Sequence, residues 1–147
     1  MQLQTRGFRQ TPEVGRTKIP DTPEVLITAH GISDVERRRL ESHGKRLIDT
    51  TCPLVRRVHR AAKTFQAAGY QVLLIGRPGH VEVQGIVEDV ADCRVLASAQ
   101  DVTSYLEKKL GIVCQTRFLQ LKVILARKSF VFGNWDGVGA IFWCHTS

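Results

Sequence analysis

An α/β fold built on a parallel sheet with flanking helices is predicted by three features of this sequence. Short apolar, β-branched runs recur at Val25–Ala29, Gln71–Ile75 and Gly111–Cys114. Stretches of helical period separate them, the longest from Leu54 to Ala68. Glycine and proline punctuate the joins. Strands alternating with helices of this length require right-handed crossovers and a parallel sheet.

Residues 1–24 hold Pro12, Pro20 and Pro23 with little periodicity and read as an extended lead-in. Val25–Ala29 is a short buried strand, ended by His30 and Gly31. Ser33 with Glu36 three residues on is a capping-box pattern, so a helix starts there. Gly44 stops it. Arg46–Asp49 is a second strand, and Thr50-Thr51-Cys52 is the turn after it. Pro53 suits the first position of a helix, where its missing N–H is no loss. Leu54, Val55, Val58, Ala61, Ala62, Phe65 and Ala68 then recur at three- and four-residue steps, which carries that helix to Gly69. Gln71–Ile75 is a third strand. The turn GRPGH follows, and VEVQGIVEDV reads as a short helix or an irregular segment. Arg94–Leu96 is a weak fourth strand, Ser98–Lys109 a helix with Val102, Tyr105 and Leu106 inward, and Gly111–Cys114 a fifth strand. After Arg117 the aromatic residues Phe130, Phe132, Trp135, Phe142 and Trp143 stand among glycines without a clear period. The organisation expected is a lead-in over 1–24, an α/β domain over 25–117 and a C-terminal segment over 118–147 of a different character.

The chain has 147 residues, 43% of them hydrophobic and 24% charged, which suits one soluble domain with a real core. No apolar run is long enough to span a bilayer. The basic N-terminal stretch lacks the apolar centre of a secretory signal, so a cytoplasmic location is expected. The net charge of +7 points to an anionic partner. The cations are dispersed as Arg37-Arg38-Arg39, Arg56-Arg57, Lys108-Lys109 and Arg127-Lys128, and most of these read as solvated helix faces rather than a nucleic-acid stripe. Cys52, Cys93, Cys114 and Cys144 form no Cys-x-x-Cys pair, which argues against a disulfide framework.

In an open parallel sheet the carboxyl ends of the strands share one edge, and ligands bind there. The residues just after the strands are His30, Cys52, His80 with Glu82, and Gln115 with Thr116. Cys52 precedes the first turn of the long helix, where free N–H groups and the helix dipole favour a negative sulfur. A nucleophile and an iron–sulfur ligand both need that; a buried capping thiol is the plainer reading. His30 and His80 each adjoin a glycine, and two imidazoles among helix N-termini suit an anion such as diphosphate. Taken singly, each is equally well a turn residue bonded to backbone. Glu82 is placed to donate a proton if enclosed, although glutamate is ordinarily a surface residue. His59 reads as a solvated or core-edge histidine, and Cys93 and Cys114 as small apolar strand residues.

The segments LITAHGIS, LIDTTCPLVRRVHR and LLIGRPGHVEVQG, in that order and spacing, resemble the middle of the 4-hydroxy-3-methylbut-2-enyl diphosphate reductase family, the last enzymes of the methylerythritol phosphate route to isoprenoids. The likeness runs from about Ile19 to Thr116 and covers only part of a typical member. It implies one to one-and-a-half lobes of a three-domain trefoil, built around a 4Fe–4S cluster that three cysteines hold. It implies a reductive dehydroxylation that yields isopentenyl and dimethylallyl diphosphates. By the same resemblance Cys52 is a cluster ligand and His30 and His80 bind the diphosphate. Glu82 is the acid for the leaving hydroxyl, and Thr116 lies near the substrate. Ferredoxin or flavodoxin is implied as electron donor, with no membrane or nucleic-acid partner.

The family's opening cysteine motif and its third-domain cysteine block are absent from this sequence. Val81 stands where the family has proline, and Arg77 where a histidine is frequent. Cys144, in FWCHTS, lacks the context of a ligand. A chain with a single matched cysteine is expected to be inactive alone, because a cubane takes four ligands. Two other classes compete. A thiol enzyme would use Cys52 as nucleophile and His30 or His80 as base. A basic nucleic-acid-binding module would use the arginine runs.

Overall fold

The computed structural model describes residues 4–11, 18–101, 109–116 and 138–141, the last by backbone only. Its strands are β1 (Glu24–Ile27), β2 (Arg46–Asp49), β3 (Gln71–Ile75), β4 (Cys93–Leu96), β5 (Leu110–Cys114) and β6 (Val138–Ile141). Its α-helices are α1 (Asp34–Ser42), α2 (Pro53–Ala67) and α3 (Val81–Asp89). Every strand pairing is parallel. The α/β class with flanking helices is the observed one.

The strands form two sheets rather than one. β1 and β2 pair only with each other, and the other four run in the order β4–β3–β5–β6. The pattern of exposure explains the split. β3 and β5 are almost wholly buried, as central parallel strands must be. β1 and β2 are four residues each and bury little beyond Ile27. Their apolar residues are left partly uncovered, Leu26 at 42% and Ile48 at 41% exposure. The single edge expected from the sequence is therefore two strand ends of one sheet facing those of another.

α2 and α3 close over the larger sheet. Val58 and Ala62 of α2, Val83 and Ile86 of α3, Val90 just beyond it, and Val72, Leu74 and Val113 of the strands make one buried cluster. Phe65 of α2 packs against that cluster. α1 lies against β2 and α3. Ser33 caps α1 by accepting from the Glu36 N–H at 3.0 Å. The capping box is only half formed, because the Glu36 carboxylate turns to Arg39 at 3.0 Å.

Three further expectations meet the structure differently. VEVQGIVEDV, left open between helix and irregular, is helix α3. The expected helix over Ser98–Lys109 shows a 3-10 turn at Ala99–Asp101, and residues 102–108 lie outside the described set. β6 falls in the segment that showed no readable period. It pairs beside β5 from Leu110↔Val138 to Ile112↔Ile141. Four residues on a sheet edge are too short for a periodic signal.

Candidate functional site

The loop after β1 is a tight turn closed by the Gly31 N–H on the Thr28 carbonyl at 3.0 Å. Gly31 has φ +74, and a Cβ there would lie 3.0 Å from Thr51 Cγ2. Glycine is thus required both for the left-handed turn and for the contact with the loop after β2. The two loops are further tied by the Cys52 N–H, which donates to the Ala29 carbonyl at 3.0 Å. His30 and Cys52 are in this way held at neighbouring strand ends of the small sheet.

Asp49 organises the loop that carries Cys52. Its Oδ1 accepts from the Thr51 N–H at 2.9 Å and the Thr51 hydroxyl at 2.5 Å, and its Oδ2 from Arg37 at 2.5 Å. Arg56 adds an ion pair at 3.2 Å. Burial alone would raise the Asp49 carboxyl, but the Thr51 hydroxyl and amide and the Arg37 guanidinium outweigh it and hold it far below the usual carboxylate range. Aspartate two residues before threonine is a turn signature, yet it was not singled out from the sequence. Asp49→Asn is expected to destabilise the fold by about 1–3 kcal/mol near neutral pH. A depressed folded pKa means that this contribution is complete above the ordinary aspartate range near 4 and fades as the pH falls below it. The urea midpoints of wild type and variant should therefore differ at pH 6, and the difference should begin to shrink only below about pH 4.

Cys52 is the N-cap of α2, and its thiol makes no capping hydrogen bond. It is partly accessible, as is Cys93, whereas Cys114 is buried. Burial, and then the Asp92 charge, push the Cys93 thiol up to about 11. Cys93 is thus a neutral strand thiol at ordinary pH. Cys144 lies outside the described residues.

The turn after β3 brings in the second histidine. His80 caps α3, its Nδ1 accepting from the Glu82 N–H at 3.2 Å. An Nδ1 that accepts leaves the ring proton on Nε2, free to donate to a ligand. The turn is pinned from β5: Gln115 Oε1 accepts from the Arg77 N–H at 2.8 Å. His80 then meets His30 edge to face, with ring centroids 5.2 Å apart and planes at 85°. The loops after β1 and β3 meet through this pair.

Glu82 is 1% exposed, not the surface glutamate that residue statistics suggest. A buried carboxylate needs donors, and Thr116 supplies both. Its N–H reaches Oε1 at 2.8 Å and its hydroxyl reaches Oε2 at 2.7 Å. Of the five residues singled out, His30 and His80 form one contact, and Glu82 and Thr116 another. His80 and Glu82 are joined by the α3 cap. Cys52 stands beside the turn leading to His30, and its thiol bonds to none of the other four. Thr116→Val is expected to lower stability by about 1–2 kcal/mol, read as a urea midpoint shift, because half of the Glu82 clasp is lost.

A cleft of about 310 Å³ opens between α1 and α2. It touches Gly31 and Thr51 but none of the five site residues. Arg37, Arg56, Arg60 and Lys63 line it with Asp34 and Asp49. Arg37, Arg56 and Lys63 are already engaged by these carboxylates, so the cleft is largely a matched ionic groove. Arg37–Arg39 and Arg56–Arg57 do lie on helices, as charge patterning suggests. No helix among the described residues is long and apolar enough to cross a membrane.

Fold and site together define a class of protein: a parallel α/β chain whose strand-end loops bring imidazole, carboxylate and thiol groups toward one end. The chain belongs to the LytB family, whose model, described as LytB protein, matches residues 1–127 and so runs past Arg117. It is 36% identical over 103 residues to the 4-hydroxy-3-methylbut-2-enyl diphosphate reductase of Anaplasma marginale (strain St. Maries), covering 67% of this chain and 30% of that protein. It is 32% identical over 141 residues to the enzyme of the same name from Ehrlichia ruminantium (strain Gardel), covering 92% of this chain and 42% of that one. The solved E-1-hydroxy-2-methyl-but-2-enyl-4-diphosphate reductase of Plasmodium falciparum superposes with a TM-score of 0.67 at 28% identity, over 78% of this chain and 40% of that structure. The chain spans about a third of the length of the first curated relative. The family resemblance read from the sequence is borne out.

Proposed function

We propose that this chain is a portion of a 4-hydroxy-3-methylbut-2-enyl diphosphate reductase, and that it carries the grip for the diphosphate together with the proton-donating carboxyl. The contact of His30 with His80 is the observation that carries the reading. Two imidazoles from different sheets meet edge to face, and the tautomer set by the α3 cap leaves His80 Nε2–H as a donor. Beside them the N-terminal end of the α3 dipole adds a setting that favours an anion. Glu82, whose two oxygens Thr116 holds, would in its protonated form be the carboxyl that passes a proton to the leaving hydroxyl. In the family reaction, two electrons and two protons replace the substrate hydroxyl by hydrogen and release water.

The iron–sulfur group implied by the resemblance does not fit the described residues by themselves. They contain no cluster of three or more metal-ligating side chains. Cys52 offers one thiol, Cys93 is held neutral and Cys114 is buried. No step is therefore derived through a cluster. Cys52 contributes at most one ligand to a cluster completed by cysteines beyond this set, and ferredoxin or flavodoxin would be the donor of the completed enzyme.

Calorimetric titration tests the reading. The chain is expected to bind inorganic diphosphate more tightly than monophosphate, and His30→Ala to remove that preference. Equal weak binding of both anions by wild type, untouched by His30→Ala, would sink it. Anaerobic treatment with iron and sulfide should leave the isolated chain without a stoichiometric cluster and without turnover.

A further inference from the structure

α1, α2 and α3 meet behind the candidate site, and each begins at one of its loops. α1 follows His30 and Gly31, α2 starts at Cys52, and α3 starts at His80 ahead of Glu82. α1 packs on β2 of the small sheet, whereas α2 packs on β3 and β5 of the large one. The meeting point is thus where the helices tie one sheet to the other.

His59 lines the cleft between α1 and α2 on one side and presses on Gly85 of α3 on the other. A Cβ added to Gly85 of α3 would lie 3.1 Å from His59 Cε1, 3.5 Å from its Nε2 and 3.4 Å from the Ser33 nitrogen. Polar groups from all three helices surround this contact. Ser33 donates its hydroxyl to Glu88 at 2.5 Å. Asp89 accepts from the Asp34 N–H at 2.8 Å and the Val35 N–H at 3.2 Å, so α3 caps α1. Lys63 of α2 pairs with Asp34 and, at 3.4 Å, with Asp89. His59 Nδ1 lies 3.9 Å from Asp89 Oδ2, while its Nε2 is buried with no hydrogen-bond partner. Burial draws the His59 pKa down; Asp89, Asp34 and the Glu82 main chain oppose this, and Lys63 reinforces it. The ring edge packs directly on Gly85, with no room between them for even one more carbon.

We propose that His59 is a positioning residue: wedged against Gly85, its ring sets the spacing between the helix that starts at Cys52 and the helix that carries His80 and Glu82, and through them the gap between His30 and His80. This rests on reading that gap as a diphosphate grip.

The test uses the full chain. In His59→Ala the helices can close on the vacated space. The ligand-free imidazole signals of His30 and His80 should then shift in nuclear magnetic resonance spectra, and affinity for inorganic diphosphate should fall by about tenfold or more. His59→Phe, a ring without nitrogens, should restore both. A His59→Ala variant with a lower melting temperature but unchanged imidazole signals and affinity would show a merely structural role and overturn the proposal. So would a folded His59→Phe variant whose signals and affinity stay displaced, and this second variant decides the matter if the alanine variant does not fold. If wild type fails to bind diphosphate at all, the grip reading falls, and the ligand-free imidazole signals still decide the role of His59.

Discussion

His80→Ala is expected to abolish selective diphosphate binding, with affinity falling by roughly 10- to 100-fold, the worth of one hydrogen bond to a charged group. The same substitution removes the α3 cap, which should lower stability by about 1 kcal/mol. His80→Asn separates the two roles. Asparagine is a good N-cap, so the helix should keep its stability while the Nε2–H donor is gone. Calorimetry should therefore find both variants equally poor at binding, and denaturation should find only the alanine variant weakened. An asparagine variant that binds as wild type would place the anion elsewhere.

Gly111→Ala is expected to give the largest loss of stability among substitutions this small. A Cβ at Gly111 would lie 2.5 Å from Phe65 Cγ, 2.6 Å from Cδ2 and 2.8 Å from Cβ. The Phe65 side chain of the helix lies directly on the strand backbone there. Because the Phe65 Cβ is itself in the way, turning the ring does not relieve the overlap. Either α2 must lift or the strand must bend. Overpacking of this kind typically costs about 1–3 kcal/mol, and at this chain length each kcal/mol lowers the melting temperature by about 2–4 °C. Phe65→Ala removes Cγ and Cδ2, so the double variant with Gly111→Ala should lose less stability than the sum of the two single losses, since contacting residues couple. Additive losses in the double variant would show that the clash is relieved elsewhere.

The residues that sit in turns and caps were legible because their chemistry is local. Ser33, Pro53 and the glycines that end helices mark boundaries through backbone geometry, and the structure starts and stops its helices close to them. The long α2 was visible because seven apolar positions repeat over four turns. His30 and His80 could be placed at strand ends, but on the edge of one sheet, whereas they meet from the loops of two. What was not legible depends on partners distant in sequence. The division into two sheets turns on how little β1 and β2 bury, which no single strand reveals. The burial of Glu82 depends on Thr116, 34 positions away. The polar meeting of Ser33 with Glu88, 55 positions apart, leaves no local pattern either. β6 is a short edge strand whose pairing is decided by β5.

One consequence follows from the histidines belonging to different sheets. An anion held by both imidazoles, as proposed, would act as a suture across the join, since each half supplies one of the two rings. Ligand and fold are then linked: saturating diphosphate at 100 times its dissociation constant should add about 2.7 kcal/mol of apparent stability. That gain should surface first as slower amide exchange around Ala29–Gly31 and Gly79–Glu82, the two margins being drawn shut.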